Sequence, residues 1–125
     1  MRLVHRYTVG PLPTSRFDLI GDAGELLGYT QVRHRASHNA FLPPEAANNL
    51  YYEIDEAHRG RGYGKALMGL ALAEAKRIGL EKVRLTVTDD NPTSHYIIES
   101  HGGVWLQDFV CRKGERYHLF EVELT

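Results

Sequence analysis

Cysteine, tryptophan and net charge are all scarce in this chain of 125 residues, with one Cys, one Trp and a formal charge of -1. Cys111 stands alone, so no intrachain disulfide can form, and a reducing, cytoplasmic location is expected. The near-zero net charge supplies no global attraction to nucleic acid or to an anionic membrane, and neither is expected as a partner. Nowhere do enough apolar residues run together to span a bilayer, and Met1 to Arg6 lacks the apolar stretch of a signal peptide. Histidine is the exception to scarcity, with seven residues. Only His34 and His38 are closely spaced. No cysteine or carboxylate completes a ligand set with them, so no metal is expected. The 42% hydrophobic and 25% charged residues are in ordinary globular proportion, and the length fits one domain over residues 1–125.

Periodicity divides the chain. Arg2 to Val9 reads as a strand ending at Gly10-Pro11-Leu12-Pro13. Phe17 to Ile20 and Leu26 to Arg35 read as a hairpin around Gly21-Asp22-Ala23-Gly24. His38 to Asn49, with two prolines and three asparagines, reads as a loop before a strand at Tyr51–Asp55. From Gly64 to Ile78 the apolar residues take helical spacing, with Gly79 as C-cap. Lys82 to Thr88 alternates as a strand, and Pro92 opens a short helix that stops at Gly102-Gly103. Strands at Val104–Cys111 and Tyr117–Leu124 complete the order β-β-β-β-α-β-α-β-β. The central strand-helix-strand unit predicts a parallel pair with a right-handed crossover, and ligands on such units bind beyond the carboxyl ends of the strands.

At that position lies Arg59-Gly60-Arg61-Gly62-Tyr63-Gly64-Lys65. The first amides of a helix have no intrahelical acceptor, and the helix dipole favours an anion beside them. Glycines let phosphate oxygens approach those amides, and Arg59, Arg61 and Lys65 add charged donors. A Walker loop would need glycine at Arg59 and Ser or Thr at Ala66. A dinucleotide fingerprint would need glycine at Lys65. Arg61-Gly62-Tyr63-Gly64 matches the opening of an RNA-recognition motif, but Lys65-Ala66-Leu67-Met68 begins a helix where that motif continues as a strand.

Arg59-x-x-Gly62-x-Gly64 resembles the acyl-CoA pyrophosphate loop of the GNAT superfamily of N-acyltransferases. The run Leu85-Thr86-Val87-Thr88, then Asn91-Pro92-Thr93-Ser94, then Ile98 to Gly103, is similar to that superfamily's second cofactor motif. The resemblance is carried by Leu50 to Leu106. It implies an α/β, GNAT-like fold: a mixed, twisted sheet of about seven strands with two main helices. It implies acetyl transfer from acetyl-CoA, as co-substrate, to a primary amine on a small molecule, peptide or protein. The backbone of Ile54 and Asp55 would pair with the pantetheine, residues Arg59, Gly60, Arg61, Gly62, Tyr63, Gly64 and Lys65 would hold the pyrophosphate, and Asn91 would bond the lower pantetheine. Ser94 would lie near the sulfur. A backbone amide of the Tyr51–Asp55 strand would be the oxyanion donor.

Glu53 is the candidate general base. A strand glutamate is equally well explained by solvent exposure or by pairing with an arginine. The chain departs from the family pattern twice. Ile98 stands where many members place a tyrosine acid, so the leaving thiolate is left with Ser94 or water. Only seven residues separate Val9 from Phe17, too few for the family's usual N-terminal helix pair, so that pair is shortened or absent. The acceptor side is then open or closed by a second subunit, which makes a homodimer an option. Asp55, Glu56, Asp89 and Asp90 read as solvated acidic loops more readily than as an acceptor site. A non-catalytic acyl-CoA sensor is the rival reading.

Overall fold

The computed structural model describes residues 1–37 and 43–124. His38 and the first part of the expected 38–49 loop lie outside the described residues. Four strands form one antiparallel sheet in the order β1 (Arg2–Thr8), β2 (Thr14–Ile20), β3 (Leu26–Ser37), β4 (Asn48–Ile54). A second antiparallel sheet orders β5 (Lys82–Thr88), β7 (Arg116–Glu123), β6 (Val104–Val110). Helix α1 (Tyr63–Arg77) joins β4 to β5, and α2 (Pro92–Ser100) joins β5 to β6.

The β2–β3 and β6–β7 hairpins use the same turn chemistry. Gly21 and Cys111 donate to the carbonyls four residues on, Glu25 and Glu115, at 2.8 and 2.9 Å. Residues 9–13 join β1 directly to β2, so the two strands form a hairpin with no helix between them.

Helix α1 buries Leu67, Met68, Ala71 and Ala75, spaced by three or four residues on one face. These pack with Val32 and Leu50 of the first sheet, Val83, Leu85, Phe120 and Val122 of the second, and Ile98 of α2. The two sheets therefore share one core beneath α1. β7 has a second buried face, where Leu119 meets Phe109, Cys111 and Ala46 of a 3-10 turn at Pro44–Ala46. Truncating the fully buried Phe120 to alanine would cost about 3–5 kcal/mol.

The expected single mixed sheet resolves into two antiparallel halves. β4 and β5 are neighbours, yet no ladder joins them among the described residues. Asn49 links the halves instead. Its Oδ1 accepts from the Arg84 backbone N–H at 3.2 Å, and its Nδ2 donates to the Arg33 carbonyl at 3.5 Å. Asn48 and Asn49, expected in a loop, are the first residues of β4, and both are buried. Their amides satisfy backbone groups where the β3–β4 register shifts between Val32 and Ser37, a role invisible to turn propensity.

Candidate active site

The glycine segment leads into α1 as expected. Gly60 and Gly62 have φ of 81° and 84°, and a Cβ on either would meet open space. Gly62 is the N-cap, and no side chain caps the helix. Ala66 is the first α1 residue whose N–H finds an acceptor, Gly62 O at 3.2 Å. The amides of Tyr63, Gly64 and Lys65 precede any intrahelical bond and point from the helix start. Those conformations and free amides fit a pyrophosphate. Gly64 also has a packing role. It is buried, and a Cβ there would come within 3.1 Å of Ile97 Cδ1 and 3.4 Å of Tyr52 Cε2. It lets α1 pack closely on α2 and β4.

Asp55 N–H donates to Leu27 O at 2.9 Å, and Asp55 O accepts from His58 N–H at 2.8 Å. Both its backbone groups are therefore hydrogen-bonded within the chain. Alternation along β4 turns the backbone N–H and C=O of Tyr52 and Ile54 away from β3, toward β5. The Ile54 carbonyl accepts from Arg59 Nε at 3.1 Å, which ties the glycine segment to the strand end. Arg61 reaches His58 Nδ1 at 3.5 Å.

At the start of α2, Asn91 Oδ1 caps the helix by accepting from Ser94 N–H at 3.2 Å. The Ser94 hydroxyl accepts from the Tyr52 phenol at 2.9 Å. Burial pushes the Tyr52 phenol above its usual range, so it remains a proton-bearing donor at neutral pH. Sequence reasoning missed Tyr52. Its signal was the alternation of β4, which sends Tyr52 and Ile54 to the helix face and Tyr51 and Glu53 to the other. Ile98 is fully buried in the core and Tyr96 is 70% exposed, so Tyr52 is the phenol that the fold brings to Ser94.

Glu53 lies on the opposite face of β4 from Ser94. Tyr29 and Tyr51 both donate to Glu53 Oε2 at 3.4 Å, and the Arg16 guanidinium lies 3.9 Å from the centre of the Tyr29 ring. Burial and the Glu53 charge push the Tyr51 phenol up to about 12, so it too stays protonated. Beside them, a cleft of about 360 Å³ opens in the seam between the sheets, lined by Gln31, Arg33, Asn48, Tyr51, Thr86 and Tyr117. Among the described residues no group of three His, Cys, Asp or Glu side chains is placed to hold a metal, and no helix is long and apolar enough to cross a membrane.

Residues 6–102 match the model of the Acetyltransferase (GNAT) family. The chain belongs to the GNAT acetyltransferase family. Its curated relatives include mycothiol acetyltransferase of Geodermatophilus obscurus, 35% identical over 89 residues, which cover 69% of this chain and 28% of that protein. Acetyltransferase Pat of Mycolicibacterium smegmatis is 28% identical over 74 residues, 59% of this chain and 21% of that protein. The matches thus span only about a quarter of either relative. Among solved structures, nourseothricin acetyltransferase superposes with a TM-score of 0.69 at 23% identity, covering 98% of this chain and 85% of its own. A chimera of the Vibrio cholerae spermidine N-acetyltransferase SpeG and hSSAT superposes with a TM-score of 0.68 at 20% identity, covering 89% and 68%. At such identities the structures establish the GNAT fold.

Proposed function

We propose that residues 1–125 form one acetyltransferase domain that moves an acetyl group from acetyl-CoA to a primary amine by direct attack. The observation that carries this reading is the division of β4 into two working faces. Tyr52 and Ser94 stand on the helix side, and Glu53 stands on the other. A reactive group held at the edge between them meets a proton acceptor on one side and a proton donor on the other.

Acetyl-CoA supplies the activated acyl group. The free amides of Tyr63, Gly64 and Lys65, with Arg59, Arg61 and Lys65, hold its pyrophosphate. Ile54 pairs with the pantetheine through its edge-facing backbone, and Arg59 exchanges the Ile54 carbonyl for the anion. Asn91 keeps its Oδ1 in the helix cap and offers its amide nitrogen to the lower pantetheine. The Tyr52 N–H, turned to the same edge, stabilises the developing oxyanion. Glu53 takes the proton of the attacking amine, directly or through water. Ser94 gives its hydroxyl proton to the departing thiolate, and the Tyr52 phenol, which already donates to that hydroxyl, replaces it.

Free-thiol release from acetyl-CoA across a panel of amines tests this reading. Glu53→Gln is expected to lower kcat/KM about 10²–10⁴-fold and to remove the acidic limb of its pH profile. An unchanged profile would take Glu53 out of the reaction. Tight CoA binding with no transfer to any amine would favour a non-catalytic sensor, the reading that the buried Ile98 supports.

A further inference from the structure

The seam cleft contains a cation that the acetyl-transfer chemistry leaves unused. Most of the partly buried arginines here have carboxylate partners. Arg16 pairs with Asp18 at 2.7 Å and Arg84 with Glu121 at 2.9 Å, and the more exposed Arg77 and Arg116 pair with Glu74 and Asp108. Arg33 differs. It is half-buried, its guanidinium donates to the Asn48 side-chain carbonyl, and no carboxylate lies within ion-pair distance among the described residues. Burial lowers its affinity for the proton, with no neighbouring carboxylate to offset the effect.

The rest of the lining matches that charge. Tyr51 and Tyr117 contribute phenols, Thr86 a hydroxyl, and Gln31 and Asn48 side-chain amides. All of these can donate a hydrogen bond, and none carries a negative charge. The volume of about 360 Å³ is at the small end of ligand pockets. Tyr51 also donates to Glu53, so the wall of the cleft ends at the candidate base. Tyr29 and Arg33 are four positions apart on β3, with Tyr29 opposite Glu53, which separates the base from Arg33 by roughly 13 Å of backbone. The long Arg33 and Glu53 side chains shorten that span to the dimensions of a small bifunctional molecule.

We propose that this cleft is the acceptor subsite for a carboxylate, and that the domain acetylates small amines that also carry one, with Arg33 and the phenols holding the acid while the amine faces Glu53. This inference rests on the acetyl-transfer reading. It makes Arg33 a specificity residue, separate from the proton transfers.

The test is a set of matched acceptors: amino acids, the amines left by their decarboxylation, and their aminophosphonate analogues. Each is assayed by thiol release with the intact chain, with Arg33→Gln and with Arg33→Lys. We expect kcat/KM for the acid to exceed that for the decarboxylated amine by about 10- to 100-fold. The ratio is expected to collapse toward unity in Arg33→Gln and to survive in part in Arg33→Lys. Comparing ratios cancels the intrinsic reactivity of each amine and any general loss of folded protein. A ratio near unity in the intact chain, a ratio unchanged by Arg33→Gln, or a preference for the phosphonate would each overturn the proposal. A second readout does not need turnover. An N-acetyl amino acid and its methyl ester are titrated, by NMR, into the CoA-saturated protein. Stronger binding of the free acid, lost in Arg33→Gln, would support the subsite even if no amine were acetylated, in which case the acetyl-transfer reading alone fails. Acetylation of many amines, with neither acid selectivity nor acid binding, would leave that reading standing and remove this one.

Discussion

Glu74 offers a test of how a buried charge on α1 is stabilised, independent of catalysis. Its side chain is only 4% exposed, on the buried face of α1 beside Ala71 and Ala75. Arg77 grips it with two hydrogen bonds at 2.6 and 2.8 Å, and His5 of β1 approaches to 3.8 Å. These contacts, the Arg77 hydrogen bonds foremost and the Ser15 hydroxyl among them, hold the Glu74 carboxyl down to about 2 against an ordinary 4.5. Because the folded value is depressed, the stabilisation is fully present above pH 4.5 and is lost as the pH falls toward 2. The full difference corresponds to roughly 3 kcal/mol. Arg77 is 63% exposed, however, and solvent around it screens the pair, so about 1.5 kcal/mol is the expected contribution. Glu74→Gln should therefore lower stability at pH 7 by about 1.5 kcal/mol. It should also flatten the fall in stability between pH 4.5 and 2. Urea unfolding followed by circular dichroism across that range measures both. If the variant and the parent lose stability in parallel as the pH falls, Glu74 is not the group that titrates.

Other consequences are simpler. Gly62→Ala places a Cβ at φ 84°, which should cost about 1–2 kcal/mol in unfolding experiments and raise KM for acetyl-CoA without altering the acceptor preference. Tyr52→Phe removes the donor to Ser94, and kcat should fall by about 10-fold or more while CoA affinity, measured by calorimetry, changes little. A fall in affinity equal to the fall in kcat would make Tyr52 a packing residue. Glu53→Gln and Arg33→Gln, treated above, separate proton transfer from acceptor choice.

The sequence was most legible where one residue type admits one conformation. The hairpin at Gly21–Gly24, the strand Lys82–Thr88 and the glycines before α1 are local statements, and the folded chain keeps them. It was least legible where a residue answers to a distant strand. Asn48 and Asn49 read as loop residues until Arg33 and Arg84 are placed beside them. Asp55 looked available to a ligand until Leu27 and His58 took its backbone groups. The pairing of Tyr52 with Ser94 spans 42 positions and joins β4 to the first turn of α2. Arg33 carried no local signal, because what distinguishes it is the absence, among the described residues, of a carboxylate within ion-pair distance.

The direct link between β1 and β2 has one more consequence. No described helix longer than a single turn covers the sheet face that carries Arg16, Tyr29, Arg33 and Glu53, so electrolyte has access to much of it. Mobile ions attenuate charge attraction over about 8 Å at physiological ionic strength. Recognition on this face should therefore weaken as salt is added, in steps that track the charges of the arriving molecule. The helix face answers to packing instead, and sodium chloride should leave it nearly indifferent. Two halves of one strand would then read the same solution differently, one by its ions and the other by its shape.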